Sequence, residues 1–280
     1  MSVFDYDVSR AHGGTGGHRR EISVTAVIPT LNEAANLPHV FARLPECVDE
    51  VIIVDGHSTD DTIKVARELR PSVRVVLQEG RGKGDALACG FAAARGDIIV
   101  MLDADGSTDP AEIPLFVEAL LRGADFAKGS RFAVGGGTVD ITLWRDLGNR
   151  FLNSVVNLLF STKYTDLCYG YNAFWSSVLP MINVNCSGFE VETLMNVRVA
   201  KAGLTVKEVA SVEQERIHGE SKLNPVRDGL RVLRTIFRER LRTSLAAATS
   251  PSYSELESGD SQRIVRLGAE DELAVAPVAG

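Results

Sequence analysis

The sequence lacks the features that mark several large classes of protein. Its four cysteines, Cys47, Cys89, Cys168 and Cys186, are scattered and form no CxxC pair, so reduced thiols are the plain reading rather than a zinc or redox site. It has no basic surplus. A formal net charge of -7, from 37 acidic residues against 30 Lys and Arg, argues against a protein that tracks nucleic-acid phosphates. No apolar run approaches the ~20 residues needed to cross a bilayer, and the first residues have no signal-peptide core. The expectation is a soluble, cytoplasmic protein. No Walker sequence occurs, and the stretch Glu79-Gly80-Arg81-Gly82-Lys83-Gly84-Asp85-Ala86 does not have G-x-G-x-x-G spacing, so neither nucleotide fingerprint is present.

What remains is ordinary globular chemistry: 280 residues, 45% apolar and 24% charged, enough for one large α/β domain. Residues 1–21 are glycine-rich without apolar periodicity and read as a disordered leader, so His12 and His18 are taken as tail residues, not ligands. Strands and helices then alternate. Val24–Ile28, Val51–Val54, Val73–Leu77 and Ile98–Leu102 are predicted strands, of which Val51–Val54 and Ile98–Leu102 are continuous apolar runs of the kind buried in a parallel sheet. Helices are expected over Glu33–Leu44, after a Ser58 or Thr59 cap, over 83–95, and from Asp109-Pro110 through Leu121 to Gly123. The βαβα order predicts a mostly parallel, Rossmann-like sheet flanked by helices. Ligands in such sheets bind at the carboxyl ends of the strands.

Polar residues collect at those ends. Thr30, Asn32 and Glu33 follow the first strand, Asp55 the second, and Asp103 and Asp105 the fourth. Two carboxylates spaced by two share a side and repel unless a divalent cation joins them. Mg²⁺ or Mn²⁺ suits such oxygen ligands and bridges readily to phosphates. Asp103-Ala104-Asp105-Gly106 is also good turn chemistry, and Asp55-Gly56 can be a turn as well. The glycines around Lys83 suit either close backbone approach to a ligand, with Lys83 supplying charge, or a simple helix-entry loop.

Several ordered blocks carry a resemblance. They are Pro29-Thr30-Leu31-Asn32-Glu33, Val54-Asp55-Gly56-His57-Ser58-Thr59-Asp60-Asp61-Thr62, Gly82-Lys83-Gly84 and Asp103-Ala104-Asp105-Gly106, followed by Gly129-Ser130-Arg131-Phe132, Asp166-Leu167-Cys168-Tyr169-Gly170-Tyr171, Gly188-Phe189-Glu190-Val191-Glu192 and Arg216-Ile217-His218-Gly219-Glu220-Ser221-Lys222-Leu223. Over residues 22–243 the chain resembles the inverting glycosyltransferases of GT-A fold, in the branch of dolichol-phosphate mannosyltransferases and polyprenyl-phosphate glycosyltransferases.

The resemblance implies a nucleotide-binding half to about 128 and an acceptor half over 129–243. It implies that Thr30, Glu33 and Asp55, with neighbouring Pro29 and Leu31, hold the donor's base and ribose. Lys83 joins the donor site, and Asp103, Ala104 and Asp105 hold metal and pyrophosphate. Arg131, Arg145 and Lys222, with Ser221, would lie near the acceptor phosphate or the departing diphosphate. Two departures stand out. Gly56 replaces a second Asp, and Ser107 sits where the branch often has Gln, which leaves a third metal ligand and the donor's identity open.

The implied reaction is inverting displacement of a nucleoside diphosphate by an acceptor, with the metal neutralising the leaving group. A phosphate acceptor is already ionised near pH 7, whereas a hydroxyl needs a base. Glu190 and Glu192 sit where hydroxyl-using relatives place one, although acidic residues at a helix start also suit its dipole. His218 can ligate metal, touch diphosphate, or simply be satisfied in its loop.

Arg227, Arg231, Arg234 and Arg238 alternate with Leu230, Leu233, Phe237 and Leu241. They describe an amphipathic helix over 225–242 that either docks on its own domain or meets the inner membrane face. Residues 244–280 read as an acidic, disordered tail. The partners expected are a GDP- or UDP-hexose and a polyprenyl phosphate or small hydroxyl acceptor, with no nucleic acid and with homo-oligomerisation left open. A non-catalytic nucleotide-sugar-binding protein is the rival of another class. A nucleotidyltransferase is excluded, because Pro29–Glu33 is not a glycine-rich basic loop.

Overall fold

A computed structural model describes residues 5–6, 20–139, 141–220 and 224–249. Most of the leader and tail predicted from sequence, and Ser221 and Lys222, lie outside the described residues. Residues 1–241 form one compact unit; the second, 242–280, is described only over the helical residues 242–249.

The elements of the main unit are β1 (Val24–Thr30), α1 (Leu37–Phe41), β2 (Glu50–Asp55), α2 (Thr62–Leu69), β3 (Arg74–Leu77), α3 (Lys83–Ala93), β4 (Ile98–Met101), α4 (Ile113–Leu121), β5 (Phe126–Ser130), α5 (Leu143–Phe160), β6 (Asn172–Trp175), α6 (Leu179–Ile182), α7 (Val191–Lys201), β7 (Val206–Ala210) and α8 (Pro225–Thr249). Seven strands form one sheet in the order β7-β5-β6-β4-β1-β2-β3. All pair in parallel except β6, which runs antiparallel to both β4 and β5. The expected mostly parallel α/β sheet is therefore present.

The continuous apolar runs have a direct cause: both faces of the central strands are buried. Side chains alternate along a strand, so Val24, Ala26 and Ile28 of β1 join Val51, Ile53, Ile98 and Val100 on one face, under α1 and α4. Val27, Ile52, Val54, Ile99 and Met101 face the other way, under α3 and α7. A third cluster joins α5 to α8 through Leu152, Val156, Val232 and Ile236. Helix α8 docks, but not through the expected stripe: of Leu230, Leu233, Phe237 and Leu241 only Leu233 packs here and the other three are exposed, because the buried face is turned to Val232 and Ile236.

Helix boundaries differ locally from expectation. The stretch over 33–44 condenses to the five residues of α1, which has Pro38 in its first turn. Neither Ser58 nor Thr59 caps α2. Both are drawn into the neighbouring loop, where Ser58 Oγ donates to Asp55 and Thr59 N to Asn32 Oδ1 at 2.7 Å. The Asp60 carboxylate takes the capping role instead, accepting from Thr62 N at 3.0 Å. Asp109 behaves as expected, accepting from Ala111 N at 2.9 Å to start a 3₁₀ turn that leads into α4.

Candidate active site

The carboxyl ends of β1, β2 and β4 open into a cavity of about 1280 Å³. Pro29, Thr30, Leu31 and Glu33 line it from the end of β1, and Asp103, Ala104 and Asp105 from the turn after β4. The chain beyond residue 128 contributes Arg145, Gly148 and Leu152 from α5 and Asp228, Arg231 and Val232 from α8. His218 lines the same space, its loop tied to Asn36 by a bond from His218 N to Asn36 Oδ1 at 2.9 Å.

Two sequence-derived site residues are not among the lining groups. Asp55 is buried, and its carboxylate is consumed by Ser58, whose N donates at 2.8 Å and whose Oγ donates at 2.5 Å. It braces the turn after β2, while Gly56 and His57 border the cavity. Glu190 lies behind the cavity wall, with Oε1 accepting from Gly188 N at 3.4 Å and a buried Oε2 that has no partner among the described residues.

The glycines at 82 and 84 approach protein backbone rather than providing open space. A Cβ on Gly84 would lie 2.3 Å from the Cys186 carbonyl oxygen, and one on Gly82 would lie 2.1 Å from that of Ser187. Gly84 N donates to that Ser187 oxygen at 3.2 Å. This close crossing of α3 against the 186–188 loop sets Lys83 beneath the start of α7. Lys83 Nζ then reaches Asp103 Oδ1 at 2.6 Å and Glu192 Oε1 at 2.8 Å. Gly170 makes room for all three, because a Cβ there would sit 2.8 Å from Lys83 Nζ and 3.0 Å from Asp103 Oδ2.

The electrostatics of this triad follow from burial and pairing together. Burial alone would pull the Lys83 ammonium down, but Asp103 and Glu192 outweigh it and hold the group protonated above its usual range. Glu192 is only 4% exposed. Burial pushes its carboxyl up, and the Lys83 charge offsets this only in part. Arg216 supplies the second cation, with Nη2 2.6 Å from Asp105 Oδ2 and Nη1 3.3 Å from Glu33 Oε1. Glu33 is raised by burial, while its bonds to Asn36 and Arg216 act the other way.

Arg131 reaches the cavity wall with its charge already matched. Nε and Nη2 donate to the Asp166 carboxylate at 2.7 and 2.9 Å, and Nη1 donates to Glu213 at 2.9 Å. Asn149 Nδ2 adds a bond to Asp166 Oδ1 at 3.0 Å. Arg131 thus fastens β5 to the 166–171 and 213 segments. Any part it takes with a phosphate is through that placement. Asp166, Glu213 and Lys128, which is fully buried with Nζ on the Asp166 carbonyl, received no role from sequence reasoning. Arg216 stood in a motif block without a role. Their partners lie tens of residues away, so only the fold brings them together.

Among the described residues no three His, Cys, Asp or Glu side chains converge as a ready metal cage. The donor set at hand is the pair Asp103 and Asp105, with Asp105 Oδ1 fixed by Ser107 N and Oγ at 3.0 and 2.7 Å. This all-oxygen pair at a cavity edge, now shared with Lys83 and Arg216, suits Mg²⁺ or Mn²⁺, which would take its remaining ligands from phosphate oxygens and water.

Comparison with known proteins agrees with this geometry. Residues 25–180 match the family model described as glycosyl transferase family 2. The chain is 30% identical over 211 residues to the glycosyltransferase AglJ of Haloferax volcanii, covering 74% of this chain and 68% of that one. It is 33% identical over 215 residues to an undecaprenyl-phosphate mannosyltransferase of Micrococcus luteus, covering 72% and 87%. A dolichol-phosphate mannosyltransferase of Pyrococcus furiosus is 32% identical over 212 residues, and there the match spans 59% of the relative's length. In structure, glucosyl-3-phosphoglycerate synthase from Mycobacterium tuberculosis, solved with Mn²⁺, uridine diphosphate and glucosyl-3-phosphoglycerate, superposes with a TM-score of 0.63 at 24% identity, covering 83% and 82% of the two chains. The same fold was also solved with Mg²⁺ and uridine diphosphate. The strand-end cavity, its paired aspartates and these matches together make the chain a glycosyltransferase belonging to glycosyl transferase family 2, with relatives in the polyprenyl-phosphate branch.

Proposed function

We propose that the protein moves a hexose, with inversion and with Mg²⁺ or Mn²⁺, from a nucleotide diphosphate sugar to a polyprenyl phosphate. The observation that carries this choice of acceptor is the Glu192–Lys83 pair at 2.8 Å. A hydroxyl acceptor needs a carboxylate free to take its proton. Here Glu192 is committed to a cation, and Glu190 does not line the cavity. A phosphate monoester arrives ionised near pH 7 and needs orientation rather than deprotonation.

Within this reading, Pro29, Thr30, Leu31 and Glu33 form the wall for the nucleoside, as expected from the first half of the chain. Asp103 and Asp105 would hold the metal, whose charge stabilises the departing diphosphate. Lys83 keeps Asp103 and Glu192 in one compact arrangement at the reacting end. Arg145 and Arg231 bring positive charge to the α5 and α8 side of the cavity, Arg231 with Asp228 3.7 Å away, which suits an anionic acceptor.

The acceptor half also presents apolar side chains to solvent. Leu143, Leu147 and Phe151 are exposed along α5, and Val226, Leu230, Phe237 and Leu241 along α8. No described helix is long and apolar enough to cross a membrane. These faces, with the arginines of 225–242, suit peripheral contact with an anionic bilayer holding the acceptor.

The test is a product assay with UDP- and GDP-hexoses, Mn²⁺ or Mg²⁺, and two acceptor sets. Sugar-lipid formed on undecaprenyl or dolichyl phosphate in anionic vesicles supports the proposal. Product only on soluble hydroxyl acceptors shifts the reading to glycan or natural-product assembly. Donor binding without product on any acceptor supports a binding protein.

A further inference from the structure

Each carboxylate of the Asp103-Ala104-Asp105 turn carries a cation from a distant part of the chain, and the two pairs are built differently. Lys83 is enclosed and shared between Asp103 and Glu192. Arg216 is a quarter exposed on the cavity wall and forms ion pairs with two cavity-lining carboxylates, Asp105 at 2.6 Å and Glu33 at 3.3 Å. Both oxygens of Asp105 are engaged. Its Oδ1 accepts from Ser107 N and Oγ, and its Oδ2 takes the arginine. Backbone bonds fix this arrangement from both sides, with Gln214 N donating to Ser107 O at 2.8 Å and Ile217 N donating to Asp105 O at 3.1 Å. The loop therefore holds Arg216 over Asp105 whatever its side chain does next.

We propose that Arg216 is a resident counterion of Asp105 that a divalent cation must displace, and that the displaced guanidinium then binds the donor's diphosphate. This rests on the donor-site reading given above. One carboxylate oxygen cannot serve a metal and an adjacent guanidinium without crowding two positive groups together. A diphosphate offers the planar guanidinium a replacement pair of oxygens within the same cavity. No covalent bond changes in the exchange. The Asp105–Arg216 contact is replaced by a metal–Asp105 contact and an Arg216–diphosphate contact.

The consequence is a linkage between two ligands. Either one alone has to break the Asp105–Arg216 pair, and each gains from a partner that has already done so. Metal and nucleotide therefore strengthen one another, by a coupling typically about 5–150-fold. Arg216 is thereby a residue that couples cofactor and donor, a role distinct from simple charge on the diphosphate.

The discriminating measurement is Mn²⁺ binding to the nucleotide-free protein, read from the free-Mn²⁺ paramagnetic signal, repeated with UDP and with GDP. In Arg216→Gln the competitor is gone, so Mn²⁺ alone should bind about tenfold more tightly than to the wild type, a typical coupling. Nucleotide should bind more weakly, and the mutual strengthening should shrink. Arg216→Lys keeps the charge but not the two-carboxylate reach, and should lie between the two. It also serves if the glutamine variant does not fold. Unchanged or weaker binding of Mn²⁺ alone in these variants, with Mn²⁺–nucleotide binding intact, overturns the exchange and leaves the donor site standing. Absence of Mn²⁺ binding to every form, with or without nucleotide, removes both.

Discussion

Replacing Glu192 by glutamine separates two roles that the same carboxylate position can serve. Breaking a buried ion pair outright costs ~3–5 kcal/mol, but Lys83 keeps Asp103 at 2.6 Å, and the glutamine oxygen can still accept from the ammonium. The loss is then nearer the gap between a charged and a neutral hydrogen bond, about 1–2 kcal/mol. For a chain of this size that lowers Tm by about 2–4 °C. If Glu192 only steadies Lys83, the comparable loss at the reacting end is about tenfold in kcat on a phosphate acceptor, since each 1.36 kcal/mol is a factor of ten. If it is the base for a hydroxyl, kcat falls by about 10²–10⁴ while donor affinity holds. Steady-state turnover, donor affinity by calorimetry and a thermal melt on one preparation separate the cases. A thousandfold loss of kcat with unchanged donor Kd and Tm would refute the argument that this carboxylate is committed to Lys83.

Other perturbations probe the rest of the site. In a thermal-shift screen, one nucleoside diphosphate with Mn²⁺ or Mg²⁺ should stabilise the wild type, and Asp105→Ala should abolish that shift. A shift retained in the variant counts against the assigned site. Asp166→Asn should destabilise the protein by about 1–3 kcal/mol at neutral pH, because buried Arg131 loses its two-pronged carboxylate and keeps only Glu213 as an anionic partner. Despite burial, the Arg131 guanidinium holds the Asp166 carboxyl below its ordinary 3.8. Its stabilisation is therefore complete above about that pH and is lost as pH falls through the lower folded value. The wild-type Tm should drop on that acid limb, and the variant should show a shallower drop in the same melts. Gly84→Ala should cost about 1–3 kcal/mol by overpacking against the Cys186 carbonyl, and should weaken donor binding through displaced Lys83. Denaturant unfolding with calorimetry checks both effects.

The sheet was legible in the sequence because of a simple physical circumstance. The strands β2 and β4 are covered on both faces, so each leaves an unbroken apolar run that no turn or amphipathic helix produces, and β1 departs from this over Val24–Ile28 only at buried Thr25. Strands β5 and β6 carry Lys128 and Asn172 among their inward positions, and this polar content concealed them. The expected helix over 33–44 was overextended, since apolar spacing continues through a segment that Pro38 and local turns shorten.

That Asp103, Asp105, Glu33 and Thr30 gather at one cavity was legible because they follow strand ends, where such sheets open into clefts. Pairing was not legible. Lys83 meets Glu192, Arg131 meets Asp166, and Arg216 meets Asp105 only after long loops close. A sequence shows which charges exist but not which of them neutralise each other. Asp55 shows the same limit: its position at the end of β2 is as expected, yet Ser58, three residues on, captures its carboxylate.

The reversed strand β6 has a consequence for how acceptor preference can diversify in such a molecule. It is stitched between β4, which ends at the aspartate turn, and β5, which leads to Arg131. The wall after β4 and the wall after β5 are thus rows of a single woven fabric. New acceptor shapes must be accommodated by the pieces laid over that fabric, chiefly α5, α8 and the 214–218 loop. Substitutions accumulating there should retune what is glycosylated while leaving the distance between the donor's phosphates and the attacking atom in its original register.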